Sequence, residues 1–225
     1  MLKDKSRKVE LKISADGSHT LFVPELDEHY HSVNGAHDES MHVFIRPALQ
    51  YCRKQEVSIL EIGLGTGLNA FLSYLNQEDK TIHYHALEKF PVSEEFCRQL
   101  NFADNTEARN TFERLHHLPW NTDQALTPSF SLLKDEVDLT NIQFTRHYDV
   151  VYFDAFAPDV QPEMWSQEIF QKIYDAMSPD GILTTYCAKG VVRRTMQACG
   201  FTVERLEGPK GKREMLRAIK KVPNE

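Results

Sequence analysis

Apolar runs and amphipathic stretches alternate along the chain from residue 57 onward. Residues 57–62 form a short apolar run that closes on a glycine-rich turn, the pattern of a buried strand. A helix is predicted over 67–75, a strand over 81–87 and a second helix over 92–100. Further on, 148–153 (YDVVYF) reads as a strand and 164–177 as an amphipathic helix with Ile169, Phe170 and Ile173 toward the core. Ser178-Pro-Asp-Gly reads as a turn, 182–186 as a strand, and 191–199 as a helix stopped by Gly200. Residues 201–205 and 215–219 predict a closing pair of strands. The stretch 103–145 is the least regular; within it only 130–137 reads as a strand, with Asp138 just past its end. Before residue 57 the pattern is mixed. It holds a short strand over 18–23 and a helix that starts at Asp38, with Val43, Phe44 and Ala48 as apolar positions.

Strands alternating with helices imply a Rossmann-like α/β fold, a mostly parallel sheet with helices on both faces. The 225 residues suit one such domain with an extension: residues 1–56 are expected to pack on a catalytic domain over 57–225. Ligands of such sheets bind beyond the carboxyl ends of the strands. The residues that follow each strand are therefore the first candidates for a site.

Composition excludes some classes. Hydrophobic residues make up 41% and charged residues 26%, and no apolar run is long enough to cross a bilayer. The opening MLKDKSRKVE has no apolar leader segment, so a cytoplasmic location is expected. Cys52, Cys97, Cys187 and Cys199 show no metal spacing, and His116-His117 has no ligand partner at ligand spacing; reduced thiols and no metal are expected. The net charge of −7 is unevenly spread. Residues 189–221 hold ten Lys and Arg against three Asp and Glu, a balance of +7 on a body of −14. That end suits a polyanion, and equally a solvated surface strand and helix.

Three motifs fall at strand ends. In Ile59-Leu-Glu-Ile-Gly-Leu-Gly-Thr-Gly-Leu-Asn69, Gly63, Gly65 and Gly67 allow a tight turn and close approach of a ligand. The helix that follows aims its first amides at the same spot. The form is GxGxG with Glu61 ahead of it, whereas nicotinamide and flavin sites usually read GxGxxG; alone, such a loop is equally a structural turn. Glu88, 21 residues past Gly67, is placed to accept hydrogen bonds from both hydroxyls of a ribose, or else to cap a helix. Asp138 is a candidate partner for an adenine amino group. In YDVVYFDAFAPD, Asp154 ends a buried strand at the crevice, and Pro158 and Pro162 stiffen the chain beyond it. A carboxylate there can accept a proton or hold an amine by a charge-assisted hydrogen bond.

These segments, together with Tyr30-His-Ser-Val-Asn-Gly-Ala-His-Asp-Glu-Ser-Met-His-Val-Phe-Ile45, Pro162-Glu-Met-Trp165, Thr185-Tyr-Cys-Ala-Lys-Gly-Val-Val-Arg-Arg194 and Gly211-Lys-Arg-Glu-Met215, resemble the methyltransferase domain of the MnmC family. The resemblance runs from about residue 18 to 219, and the Asp-Ala-Phe-Ala-Pro to Met-Trp string is its most specific part. It implies S-adenosylmethionine as cofactor and tRNA as partner, bound at the anticodon stem-loop. The implied reaction is N-methylation of the 5-aminomethyl group of the wobble uridine, from 5-aminomethyl-2-thiouridine to 5-methylaminomethyl-2-thiouridine. Carried over by position, Glu61, Gly63, Gly65, Gly67 and Asn69 form the cofactor loop, Glu88 holds the ribose, Asp138 the adenine, and Asp154 is catalytic.

Tyr30, His31 and Ser32, with Glu39, His42 and Phe44, are expected as a lid or wall over the cofactor or the base. Phe156 is expected to stack on the uracil, and Lys189, Arg193, Arg194, Lys212 and Arg213 to meet tRNA phosphates. Many members of the family carry a second, flavin-dependent domain. A chain of this length leaves no room for it, so a stand-alone form without flavin is expected. A class I methyltransferase with a small-molecule or protein acceptor is the alternative, since the fold serves many acceptors. GxGxG disfavours an oxidoreductase, and a non-catalytic RNA-binding module has no need of Asp154. The sequence does not fix an oligomeric state.

Overall fold

The computed structural model describes residues 7–221; residues 222–225 and residues 1–6, which open the stretch read for a leader, lie outside the described residues. The chain begins with an antiparallel sheet of β1 (Glu10–Ile13), β2 (His19–Val23) and β3 (Glu28–His29). Helix α1 (Ala36–Ser40) runs on into π-helical turns over Met41–Leu49. Pro47 lies inside those turns and has no N–H to donate; the wider spacing shows in Gln50 N, which donates to Ile45 O at 2.9 Å.

Then follow β4 (Glu56–Ile62), α2 (Leu68–Leu75), β5 (Thr81–Glu88), α3 (Glu94–Gln99), α4 (Thr106–His117), β6 (Gln124–Thr127), β7 (Phe130–Glu136), β8 (Tyr148–Phe153), α5 (Gln167–Ala176), β9 (Met177–Thr185), α6 (Gly190–Ala198), β10 (Thr202–Glu207) and β11 (Glu214–Ile219). These eight strands form one sheet of order β10-β11-β9-β8-β4-β5-β7-β6. Strands β7, β5, β4, β8 and β9 are parallel; β6, β11 and β10 join antiparallel.

Alternation along the central strands fills two cores. Val57, Ile59, Tyr84, Val150 and Tyr152 face the helix over 36–49, α2 and α4. Leu60, Ile62, Leu87, Val151 and Phe153 face α5 and α6. The chain runs outward from β4 to β5 and β7, then returns to β8 on the other side. The strand order therefore reverses between β4 and β8, where a crevice opens at their carboxyl ends.

Three expectations need correction. The stretch 103–145 contains α4 and the hairpin strand β6 besides β7. Ser178-Pro-Asp-Gly is not a free turn but an excursion inside β9. Met177 pairs with Tyr148 and Ile182 with Val150, and Asp180 takes φ 59 between them. Asp180 N donates to Lys220 O and Lys220 N to Gly181 O, so the excursion is stitched to the chain beyond β11. The helix expected over 164–177 is split: a single 3₁₀ turn at Pro162–Trp165 precedes α5, whose first turn is capped by Ser166. Among the described residues, no helix is long and apolar enough to cross a membrane.

Candidate active site

A cavity of about 590 Å³ opens where the strand order reverses, within the roughly 300–1,000 Å³ usual for small-molecule sites. Its floor is the loop after β4. Gly63 has φ +89, and a Cβ there would lie 2.9 Å from the Asp154 carbonyl oxygen. Glycine at 63 therefore lets the ends of β4 and β8 meet, and Asp154 N donates to Ile62 O at 3.1 Å. Gly65 has φ +52, and a Cβ there would lie 2.8 Å from Cδ1 of Tyr30, whose ring lies over the loop. Gly63 N and Leu64 N both donate to Leu87 O, which fastens the loop to the end of β5.

Glu88 ends β5 at the cavity. Its Oε2 accepts from Gly65 N at 3.0 Å and its Oε1 from Phe90 N at 2.8 Å. Each oxygen keeps a further lone pair for a hydroxyl. Burial pushes this carboxyl above its ordinary range, against the pull of those backbone amides. Beyond it, Leu87, Val137 and Leu139 give an apolar slot bordered by Asp138. Asp138 accepts from Thr140 N and Oγ1 and pairs with Lys89 at 2.7 Å. Burial acts to raise its carboxyl, but Lys89 and Thr140 outweigh it and hold it below the usual range.

Asp154, which directly follows β8, lines the same cavity beside the glycine loop. Asn69, in the first turn of α2, donates Nδ2–H to Asp154 Oδ2 at 2.9 Å. Burial, helped by the charge of Glu39 and opposed by Asn69 and Lys212, pushes the Asp154 carboxyl up to about 7. The loop that follows is tied down at three points. Phe156 N donates to Gln161 Oε1 at 3.2 Å, Trp165 Nε1 to Phe156 O at 2.8 Å, and Tyr186 Oη to Ala155 O at 2.9 Å.

The segment before α1 closes the site. Tyr30 meets the Phe156 ring edge-on, with centroids 5.4 Å apart. His31 Nε2 and Thr66 Oγ1 are 2.6 Å apart, and burial pushes this imidazole down to about 4, so it is neutral at pH 7. Ser32 N donates to Glu39 Oε2 at 2.7 Å. Lys212 Nζ is 2.8 Å from Glu39 Oε1 and 4.0 Å from the centre of the Tyr186 ring.

The cavity thus gathers Tyr30, His31, Ser32, Glu39, Gly63, Gly65, Glu88, Asp138, Asp154 and Phe156. Lys212, expected with the phosphate contacts, lines it as well. Gly67 precedes α2, Asn69 stands behind Asp154, and Glu61 is fully buried beneath the loop. His42 reaches Glu207 O and Phe44 packs on Tyr152, both away from the cavity. Lys189 pairs with Asp159; on α6 Arg194 is exposed and Arg193 half-buried, and Arg213, just before β11, is exposed. Tyr186, Gln161 and Lys89 do not stand out in the sequence. Tyr186 directly follows β9 and Lys89 directly follows β5, so the strand-end rule reaches both; Gln161 carries no such signal. Among the described residues, no group of three or more His, Cys, Asp or Glu is arranged to hold a metal.

The strand order and the crevice between β4 and β8 are those of the class I S-adenosylmethionine-dependent methyltransferases. Residues 122–221 match the family described as S-adenosyl-L-methionine-dependent methyltransferase. The particular relatives are MnmC proteins. The tRNA 5-methylaminomethyl-2-thiouridine biosynthesis bifunctional protein MnmC of Leptospira interrogans is 30% identical over 209 residues, 85% of this chain and 32% of that protein. The protein of the same name from Burkholderia thailandensis is 30% identical over 217 residues, 88% of this chain and 33% of that protein. The chain therefore spans about a third of the length of these curated relatives. The crystal structure of MNMC2 from Aquifex aeolicus superposes with a TM-score of 0.78 at 25% identity, over 97% of this chain and 72% of that one. The resemblance drawn from the motifs is thus found again by whole-chain sequence and by fold.

Proposed function

We propose that this chain N-methylates the 5-aminomethyl group of the wobble uridine in tRNA, with Asp154 as the group that receives the acceptor amine. The observation that carries the reading is the placement of Asp154. It is a carboxylate poised near neutrality, held by Asn69, in a cavity whose lining also suits a nucleoside.

The residues fit S-adenosylmethionine. The glycine loop at Gly63 and Gly65 along the cavity, the spare lone pairs of Glu88 and the slot beside Asp138 match a glycine-cradled amino acid, a ribose and an adenine. When bound, the cofactor supplies a methyl group already activated on a sulfonium, so the protein is left with alignment and proton handling. A primary alkyl amine resembles lysine, with a pKa of roughly 10.4, and arrives mostly as an ammonium without a free lone pair. Ionised Asp154 attracts that ammonium, orients it and accepts its proton. Phe156, on the rim beside Tyr30, is the aromatic face for an extruded uracil.

Residues 1–56 act in this reading as an extension that walls the site of the domain over 57–225; Tyr30 on Gly65 and Glu39 on Lys212 support that role. The RNA is the anticodon stem-loop, met in the cytoplasm by the exposed Arg194 and Arg213 with Arg193. The test offers labelled S-adenosylmethionine together with undermodified tRNA, free alkyl amines and lysine-rich protein. Label in the tRNA alone supports the proposal. Label in the small amines or the protein supports the broader alternative.

A further inference from the structure

Beneath the cofactor loop, Glu61 is fully buried and neither carboxyl oxygen has a hydrogen-bond partner. Its polar neighbours are Asn69 and Tyr84, and each holds a buried oxygen that is also unpartnered: Oδ1 of Asn69 and the hydroxyl of Tyr84. The other end of the Asn69 amide donates to Asp154. Donors and acceptors can be counted at this spot. With Glu61 ionised, its two oxygens and Asn69 Oδ1 are all acceptors, and nothing donates to the Asn69 oxygen. One proton on Glu61 corrects this. The acid O–H is then a donor for Asn69 Oδ1, and the Tyr84 hydroxyl is the neighbouring donor for its carbonyl oxygen.

We propose that Glu61 is held as a neutral acid that donates to Asn69 Oδ1 and so fixes the amide with its N–H toward Asp154, as a positioning residue and not a cofactor ligand. Burial pushes the Glu61 carboxyl well above its ordinary range; the nearby Asn69 and Tyr84 pull it down, the charges of Asp154 and Glu88 push it up, and burial prevails. Turned over, the Asn69 amide would present its oxygen to Asp154 and favour the protonated acid there. As fixed, it favours the carboxylate, the form able to take a proton from an amine. The inference rests on the reading of Asp154 as the amine-binding base. The other groups facing Asp154 are Glu39, Lys212 and Tyr186, all of them unchanged in the variants below.

The test compares Glu61→Gln with Glu61→Leu in the full chain. Gln offers one donor and one acceptor, as the neutral acid does; Leu offers neither. Glu61→Leu is expected to lose about tenfold or more in kcat and to move the acid limb of kcat/KM up by about one pH unit, and Glu61→Gln to restore most of both. The infrared difference between wild type and Glu61→Gln at neutral pH should contain the carbonyl stretch of a protonated carboxylic acid. Affinity for S-adenosylmethionine, by calorimetry, should change less than about threefold in Glu61→Gln. Absence of the infrared band, or cofactor binding weakened about tenfold in Glu61→Gln, overturns the proposal, since an ionised ligand to the cofactor would behave so. If Glu61→Leu does not fold, the infrared and calorimetric results still decide. Neither involves an acceptor, so they stand apart from any failure of tRNA as the substrate.

Discussion

Asn69, from the first turn of α2, donates its amide N–H to Oδ2 of Asp154, the residue that follows β8, across 2.9 Å. The bond joins the helix of the glycine loop to the most specific motif of the chain, at the point where the strand order reverses. A hydrogen bond to the charged form lowers a carboxyl pKa, whereas burial raises it. At Asp154 burial wins and leaves the group near 7.

The pH profile follows from that balance. Asp154 accepts a proton only when ionised, so kcat/KM should fall as pH drops through about 7. Glu39 raises the Asp154 carboxyl and Lys212 lowers it. Glu39→Gln should therefore move the acid limb to lower pH, and Lys212→Met to higher pH. Both variants are measured with the same tRNA, so the titration of the acceptor amine is common to all profiles. An acid limb unmoved in both would separate Asp154 from the observed titration.

Asp154→Asn keeps the shape and removes the base. At neutral pH the rate should fall by about a hundred- to ten-thousand-fold, the usual range for a general base. The deficit should shrink as pH rises, because more of the amine is then neutral without help. Cofactor affinity, read by calorimetry, should stay within a few-fold, since in this account Glu88 and the glycine loop hold the cofactor.

At Gly65 the constraint is a ring as much as a ligand. A Cβ there would meet Tyr30 at 2.8 Å and sit at φ +52, a conformation that costs other residues roughly 1–2 kcal/mol. Gly65→Val should lower the melting temperature and abolish binding of S-adenosylmethionine. Tyr30→Ala should recover part of the stability in the double variant but not the binding. A folded Gly65→Val that binds the cofactor normally would place the cofactor away from this loop.

The strands beneath the site are readable in the sequence because β4 and β8 are apolar runs and β5 alternates His, Tyr and Ala, each with a clear end. Helix α4 is not. Its buried face is Ala108, Thr111, Phe112 and Leu115, a stripe with the right spacing but only two large apolar residues. The site divides in the same way. Residues at strand ends, such as Glu88 and Asp154, are visible as motifs. The partnership of Lys212 with Glu39 spans 173 positions and no local pattern announces it, so a residue that lines the cavity reads as part of a basic surface.

The remaining basic surface gives a salt prediction. Replacing Arg193, Arg194 and Arg213 together by Gln should raise the KM for tRNA and leave cofactor affinity unchanged. The slope of log affinity against log salt should flatten by about 0.7–0.9 for each phosphate that the variant no longer neutralises. An unaltered slope would move the RNA surface elsewhere on the protein.

The central claim is methyl transfer to the aminomethyl group of the wobble uridine. The direct measurement is nucleoside mass spectrometry of tRNA carrying 5-aminomethyl-2-thiouridine, before and after incubation with the protein and S-adenosylmethionine. The account predicts conversion to 5-methylaminomethyl-2-thiouridine at that nucleoside, with conversion slowed about a hundred-fold or more by Asp154→Asn. An unchanged wobble nucleoside, or a methyl group found on any other, would contradict it.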